Sequence, residues 1–434
     1  MSLEFNWEPV GNYVNILSGF AFKSKDFINS GIPVVKIKNI VPPDVVLDDV
    51  QYVSEKFLTE KKNYVLSKGD ILITLTGSSV NQMASAVGQV AKINFAEPCL
   101  LNQRVAKLIP KDESKCNIDY FYYILSTEEM HYNLASRASG SANQANINPT
   151  IIKSMETLVP PIEIQNKIVG VLKTIDEKIN VNKEININLF SIASSLQTEW
   201  IVNFTPFKSE QFKSSAFGLI PKDWNVGKLG DVIELLDSKR IPLSGQEREN
   251  MEKIYPYYGA ASLMDYVDDY IFDGIYLLIG EDGTVIDDKG FPILQYVWGK
   301  FWVNNHAHIV KGKNGFNVDS LYLLLSKTNI QSIVTGAVQA KVNQNNLKSI
   351  EIIIPPVEVM EKFNELIKPF FDTIRSNHDE IKELQKLRDT LLPKLMSGEI
   401  DVSKINCDML KISMKNLDNT FTLPLQNILI KAIL

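Results

Sequence analysis

From Ile162 to Trp200 the apolar residues recur at alternating intervals of four and three. Ile168, Leu172, Ile175 and Ile179 are followed by Ile185, Leu189, Ile192, Leu196 and Trp200. Such a stripe predicts a long helix with a coiled-coil seam. It occurs twice: 195 residues further on stand Phe363, Ile367, Phe370, Ile374, Leu384, Leu391 and Leu395, in place of Ile168, Leu172, Ile175, Ile179, Leu189, Leu196 and Trp200. The same offset carries Gln144-Ala145 to Gln339-Ala340, Asn148 to Asn343, Lys153-Ser154 to Lys348-Ser349 and Pro160-Pro161 to Pro355-Pro356. A chain with this self-similarity is a tandem of two similar units.

Ahead of each stripe the pattern changes to short apolar or alternating runs, as at 32–40, 70–74, 87–93 and 104–109, with breaks at Val41-Pro42-Pro43 and Gly77-Ser78-Ser79. These predict strands and turns. A short helix is expected over 118–126, and the small, polar segment 136–148 reads as a loop. Residues 206–350 repeat the strand-rich plan, with Trp224 standing at its opening as Trp7 stands in the first, although the stretches around Tyr255–Gly283 and Trp298–His308 have no visible counterpart there. The expected fold class is α+β, with strand-rich domains at 1–155 and 206–350, long helices within 156–205 and 351–400, and a tail, 401–434, that the pattern leaves unassigned. Each Pro-Pro pair should stop a strand, and Glu163 then lies in the first helical turn, where a carboxylate suits the helix dipole. Asn180, Asn182, Asn186 and Asn188 interrupt the first stripe; asparagine in a seam lowers stability but fixes register. Pro393 costs about 3 kcal/mol inside a helix, so the second helix should kink or end near it.

Composition narrows the picture only a little. With 434 residues, 45% hydrophobic and 22% charged, the chain has the make-up of a globular protein. The start MSLEFNWEPV carries neither a basic cluster nor an apolar run, and no window suits a membrane span, so a cytoplasmic location is expected. Three cysteines without a CxxC pair suggest neither disulfides nor zinc. The net charge of −6 argues weakly against nucleic acid. It is unevenly spread, however, and leaves Lys36, Lys38, Lys61, Lys62, Arg104, Lys239, Arg240 and Lys341 to form local basic surfaces.

Catalytic sets are missing from the sequence: there is no GxxxxGK[ST] loop and no strand-borne GxGxxG. The Pro-Pro pairs lack the flanking polar and aromatic residues of an amino-methyltransferase tetrapeptide. His306 and His308, two apart on an expected strand, have metal-ligand spacing if a third ligand joins them. The plainer reading is a polar strand end and a packed core histidine, so no metal is expected. Glu281-Asp282-Gly283 reads as a tight turn rather than a nuclease motif.

Several stretches resemble type I restriction-modification specificity subunits: Tyr255–Ala260, Asp268–Gly274, Glu281-Asp282-Gly283, Trp302–His308, Gly19–Lys23, both Pro-Pro approaches to the helices, and Leu391–Ile400. The resemblance implies two target-recognition domains, each reading half of a split DNA target, separated by two helices packed as an antiparallel coiled coil in a pseudo-twofold repeat. It also implies no catalysis by the chain itself. Two methyltransferase subunits and two ATP-driven motor-nuclease subunits would be its partners, and S-adenosylmethionine, ATP and Mg²⁺ would belong to them. The competing readings are a coiled-coil adaptor that binds proteins only and a divergent methyltransferase or nuclease.

Bases are read by forked side chains carried on loops, Arg or Lys on guanine and Asn or Gln on adenine. On that ground the candidates in the first domain are Lys36, Lys38, Asn39, Ser78, Ser79, Asn102, Gln103, Arg104, Asn143 and Gln144. In the second they are Tyr257, Tyr258, Gly259, Glu281, Asp282, Asn304, Asn305, His306, Gln339, Lys341 and Asn343.

Overall fold

The structure is a computed structural model that describes residues 5–141, 144–336, 339–403 and 405. Most of the 401–434 tail, and the candidate Asn143, lie outside the described residues. The chain divides into two compact units, residues 1–180 with 382–434 (unit 1) and residues 181–381 (unit 2), so each long helix is shared between them.

In unit 1 the strands Val14–Ser18, Val105–Pro110, Ile71–Thr74 and Val90–Lys92 lie side by side in that order. A second sheet runs Gln51–Val53, Ile32–Val35, Cys99–Leu101, Val65–Leu66, and its two middle strands are parallel. Val35, Leu66, Leu72, Ala91, Leu101 and Val105 fill the core between these elements. Both cysteines described, Cys99 and Cys116, are packed in the interior, where burial pushes their thiols up to about 12.

Unit 2 has the same strand order. Ile233–Leu235, Ala307–Gly312, Tyr276–Gly280 and Leu294–Val297 form one sheet. Leu263–Val267, Tyr255–Tyr258, Lys300–Val303 and Phe272–Asp273 form the other, again with a parallel middle pair. The stretches that look unique to the second domain are therefore strands with counterparts in the first. One sequence equivalence needs correcting: Asn6 pairs with Val159 and Asn225 with Ile354, which matches Trp224 to Phe5 rather than to Trp7. Trp224 is buried beside Phe204 and Ile220, whereas Trp7 is exposed.

Both Pro-Pro pairs act as expected, closing the strands Glu156–Val159 and Glu351–Ile354 just ahead of helices Ile162–Gln197 and Val357–Met396. The two helices run antiparallel within each unit. In unit 2 Asn182 donates to Glu380 at 2.7 Å, Asn377 donates to Asn186 at 2.8 Å, and Trp200 meets Phe363 with ring centroids 5.7 Å apart. In unit 1 Arg388 donates to Asp176 at 3.1 Å, and Lys167 reaches the Ser403 carbonyl.

Of the seam residues, Ile168, Leu172, Ile175, Ile179, Phe363, Ile367, Ile374, Leu384 and Leu391 are buried. Leu189, Leu196 and Phe370 are half-buried, and Ile192 is exposed. Helix rotation gives the interior places to Asn182, Asn186, Ala193 and Phe371 instead. The second helix runs through Pro393 and ends near it, at Met396. The Leu391, Leu392, Leu395 and Met396 side chains are buried there, and their burial offsets the lost hydrogen bond. Gly398 then takes a left-handed φ of +76° as the chain leaves the helix.

Candidate nucleic-acid interface

Strands that run parallel end at the same edge of a sheet, so loops far apart in sequence meet there. In unit 1 the parallel pair delivers Lys36–Lys38 and Asn102–Arg104 to one edge, where with Phe22 and Phe27 they line a concavity of about 390 Å³. Asn102 makes the turn: its Oδ1 accepts the Arg104 N–H at 3.3 Å and its carbonyl accepts the Val105 N–H at 2.9 Å. That is the short loop asparagine favours, and it projects the two residues at its tip. Gln103 and Arg104 are exposed.

Unit 2 builds the same turn at the same place. Asn102 N–H donates to the Val35 carbonyl and Asn304 N–H to the Tyr258 carbonyl, while Asn304 Oδ1 accepts the His306 N–H at 2.8 Å. Gln103-Arg104 and Asn305-His306 are therefore structural equivalents. Asn102 and Asn304 shape the loops instead of facing outward; Asn304 is buried.

The remaining candidates separate by the company they keep. In unit 1 the Lys36 ammonium lies over the Phe27 ring at 4.1 Å and donates to Gln51, and burial followed by the neighbouring Lys38 holds it below the usual lysine value. Lys38 pairs with Asp49. Asn39 is fully buried, its amide accepting the Lys36 N–H and donating to the Asp48 carbonyl, so it braces its own loop. Ser78 bonds the Ser85 hydroxyl at 2.8 Å, and Ser79 lies partly buried next to it. Gln144 is exposed on a hairpin, Ser139–Ser141 with Gln144–Asn146, where a loop was expected. A run of small polar residues gives no strand signal, and backbone pairing with Thr76-Gly77 supplies the order.

In unit 2 Tyr257 is buried, with its hydroxyl on the Leu243 backbone, and Tyr258 packs on Phe301. Tyr257 is a core residue, and Tyr258 is half-buried at the margin of the core. A Cβ at Gly259 would lie 2.4 Å from Met264 Sδ, so the residue marks a close approach. Asn343 caps the short helix Gln344–Lys348 by accepting the Asn346 N–H, as Asn148 caps Pro149–Lys153. Gln339 and Lys341 are exposed, and Lys341, Asn343, Gln344 and Glu281 line a polar concavity of about 520 Å³. Phe22, Phe27 and Gln344 were missed by sequence reasoning; only their neighbours in space place them.

His306 and His308 do not converge. His306 is half-exposed and bonded through Nδ1 to Asp282. His308 is fully buried, with Nδ1 2.6 Å from Asp237 Oδ2 and Nε2 2.8 Å from the Val342 carbonyl. Asp237, Glu281 and His308 bring ligand-type atoms within 4.8 Å of one another, the one such grouping among the described residues. It does not suit a metal, because both His308 nitrogens are already engaged within the protein, Nδ1 by Asp237 and Nε2 by the Val342 carbonyl. Arg240 also occupies the centre, 2.6 Å from Glu281 and 3.6 Å from Asp237. Burial alone would raise the Asp237 carboxyl, but donors from His308 and the Ile309 N–H outweigh it and hold the group below its usual value. Arg240, expected on a basic surface, is thus part of an internal ion network that also donates to the Asn305 and Ala307 carbonyls and braces the turn from beneath.

Each unit thus presents a loop cluster with a protruding polar tip at the end of its parallel strand pair. The family described as type I restriction modification DNA specificity domain matches residues 6–189 and 221–386. A relative from Methanocaldococcus jannaschii, the type I restriction enzyme MjaIX specificity subunit, is 27% identical over 404 residues, covering 88% of this chain and 90% of the relative. A putative type I restriction enzyme specificity subunit of Haemophilus influenzae is 34% identical over 139 residues, covering 32% of this chain and 35% of that protein. The crystal structure of the S subunit of a type I restriction-modification system from M. genitalium shares the fold, with a TM-score of 0.52 at 15% identity over 91% of this chain and 96% of the other. The chain belongs to the type I restriction-modification DNA specificity family.

Proposed function

We propose that this chain is the sequence-specificity subunit of a type I restriction-modification complex, and that each unit reads one half of a bipartite duplex target. The observation that carries the proposal is the repeated asparagine turn. Gln103-Arg104 and Asn305-His306 stand at matched sites beside the ends of a parallel strand pair, and side chains of these types match base edges in the major groove. The 36-residue and 40-residue helices set the separation of the half-sites and offer their outer faces to two methyltransferase subunits. At a rise of about 1.5 Å per residue they are rods of roughly 55 to 60 Å, well matched to half-sites about one DNA turn or somewhat more apart. Catalysis rests with those partners and with two ATP-driven motor-nuclease subunits, which hold S-adenosylmethionine, ATP and Mg²⁺.

The test is to purify the chain with its methyltransferase, map the methylated motif across a genome, and repeat the mapping after one helical turn has been deleted from each long helix. A bipartite motif whose spacer changes on deletion supports the reading. A motif that is not bipartite, or a spacer that does not move, refutes it.

A further inference from the structure

Among the described side chains at the unit 1 reading edge, Arg104 differs from its neighbours. Lys36 is held by Gln51 and the Phe27 ring and Lys38 by Asp49, so each has an internal partner. Arg104 has no ion pair or hydrogen bond to its guanidinium among the described residues, is exposed, and sits at the tip of a turn whose backbone is pinned on both sides. A long flexible cation on a floppy loop would suit any phosphate. A planar fork on a fixed turn suits a planar acceptor pair, and in duplex DNA the base that offers two adjacent acceptors in the major groove is guanine, through N7 and O6.

The equivalent position in unit 2 has a different chemistry. His306 has no fork, and Asp282 holds its Nδ1 and fixes the ring. The arginine nearest to that turn, Arg240, is inside the network and directed at Glu281 and the Ala307 carbonyl. An arginine fork is therefore offered to DNA by the turn of unit 1 and withheld by the turn of unit 2.

We infer that Arg104 is a specificity-determining residue that reads a guanine in the half-site of unit 1. The inference rests on the proposed function and adds the base class and the half-site. It is tested with the chain assembled with its methyltransferase, by comparing the methylated motifs of wild type, Arg104→Ala and Arg104→Lys, and by measuring wild-type binding to its own target with each guanine replaced in turn by 7-deazaguanine, which lacks the N7 acceptor. The expected result is a wild-type motif with a fixed guanine in one half, degenerate at that position alone in Arg104→Ala, with the other half unchanged. Substitution of that single guanine should weaken wild-type binding roughly 10- to 100-fold and leave the binding of Arg104→Ala unaffected.

A uniform loss of affinity with an unchanged motif would make Arg104 a phosphate contact and overturn the inference, as would insensitivity to every 7-deazaguanine. Either outcome leaves the specificity-subunit reading standing. That reading fails separately if the wild-type complex has no sequence preference. Retention of the wild-type circular dichroism spectrum by Arg104→Ala keeps a folding defect from imitating the expected result.

Discussion

The two units run the same strand order, yet one matched set of interior positions is filled with opposite materials. Leu75 and Glu281 are equivalent: each donates its N–H to the turn (the Arg104 and His306 carbonyls), and each accepts from a later segment just ahead of a capping asparagine (the Ile147 and Val342 N–H groups). Two residues past the turn stand Ala106 and His308, both fully buried. Where Asp237 reaches His308, Ser18 lies opposite Ala106. Unit 1 therefore supports its reading turn on an apolar floor, and unit 2 supports its own on a closed ion network of Asp237, Arg240, Glu281 and His308. The same backbone accepts either filling provided that the filling is complete. The choice also decides where the arginine goes: exposed at the turn in unit 1, internal beneath it in unit 2.

The largest effect should come from leaving the ionic filling incomplete. Asp237→Ala takes away the buried carboxylate that serves His308 Nδ1, the Ile309 N–H and the Gln344 amide, and should cost roughly 3–5 kcal/mol, read from chemical denaturation. Converting the whole set to the unit 1 type, Asp237→Ser, Glu281→Leu and His308→Ala with Arg240→Ala, should cost less than the single change, since removing all members leaves no unpaired charge. If the fourfold variant is the less stable of the two, the floors are not interchangeable and the comparison fails.

The same network sets a pH response that the matched positions of unit 1, Ser18, Leu75 and Ala106, should lack. The folded-state value of Asp237 is depressed, so its contribution to stability is present above the ordinary carboxylate range and is lost as pH falls through the lower folded value. Unfolding followed from pH 7 down into the acid range should therefore show unit 2 losing stability at the acid end. In Asp237→Asn that part of the slope should disappear.

A second comparison concerns how each domain is tied to the helices. In unit 1 the Tyr123 hydroxyl donates to Asp176 at 2.6 Å and Arg388 pairs with the same carboxylate. In unit 2 the Tyr296 hydroxyl donates to Asp319 at 2.6 Å and Arg375 reaches both. The carboxylate side chain is 25% exposed in the first cluster and 8% in the second, and burial, its leading cause, raises the Asp319 value. Arg375→Ala should therefore destabilise more than Arg388→Ala, by about 2–3 kcal/mol against about 1 kcal/mol, in parallel denaturation curves. Equal losses would show that burial of the carboxylate does not govern the tie.

These comparisons also show what the sequence could reveal. The helix stripes, their repetition and the Pro-Pro stops were legible because helix periodicity and proline chemistry are local. The exposed turn tips at Gln103-Arg104 and Asn305-His306 fall where the sequence put polar residues beside strand ends, whereas Asn39 and Asn304, nominated on the same ground, are buried. The placement of Asn182 and Asn186 in the seam ahead of Ile185 and Ile192 was not, because residue type alone does not fix helix rotation. Nor was the internal place of Arg240, whose partners Glu281 and His308 lie far along the chain and meet it only once the strands have paired.

The smallest effect, and the closest test of equivalence, is at the turns themselves. Asn102→Ala and Asn304→Ala each remove the side-chain oxygen that accepts the N–H two residues on. At the first turn Asn102 is half-buried and Arg104 exposed, so water can replace that bond, whereas Asn304 is buried and its loss leaves the His306 N–H poorly served. Stability should fall by about 0.5 kcal/mol in the first and about 1 kcal/mol in the second. The functional losses should be opposite in address: Asn102→Ala loosens base choice in one half of the methylated motif only, and Asn304→Ala in the other. Motif mapping of the two variants side by side checks this directly, and loosening of both halves by either variant would mean that the turns do not read separate half-sites.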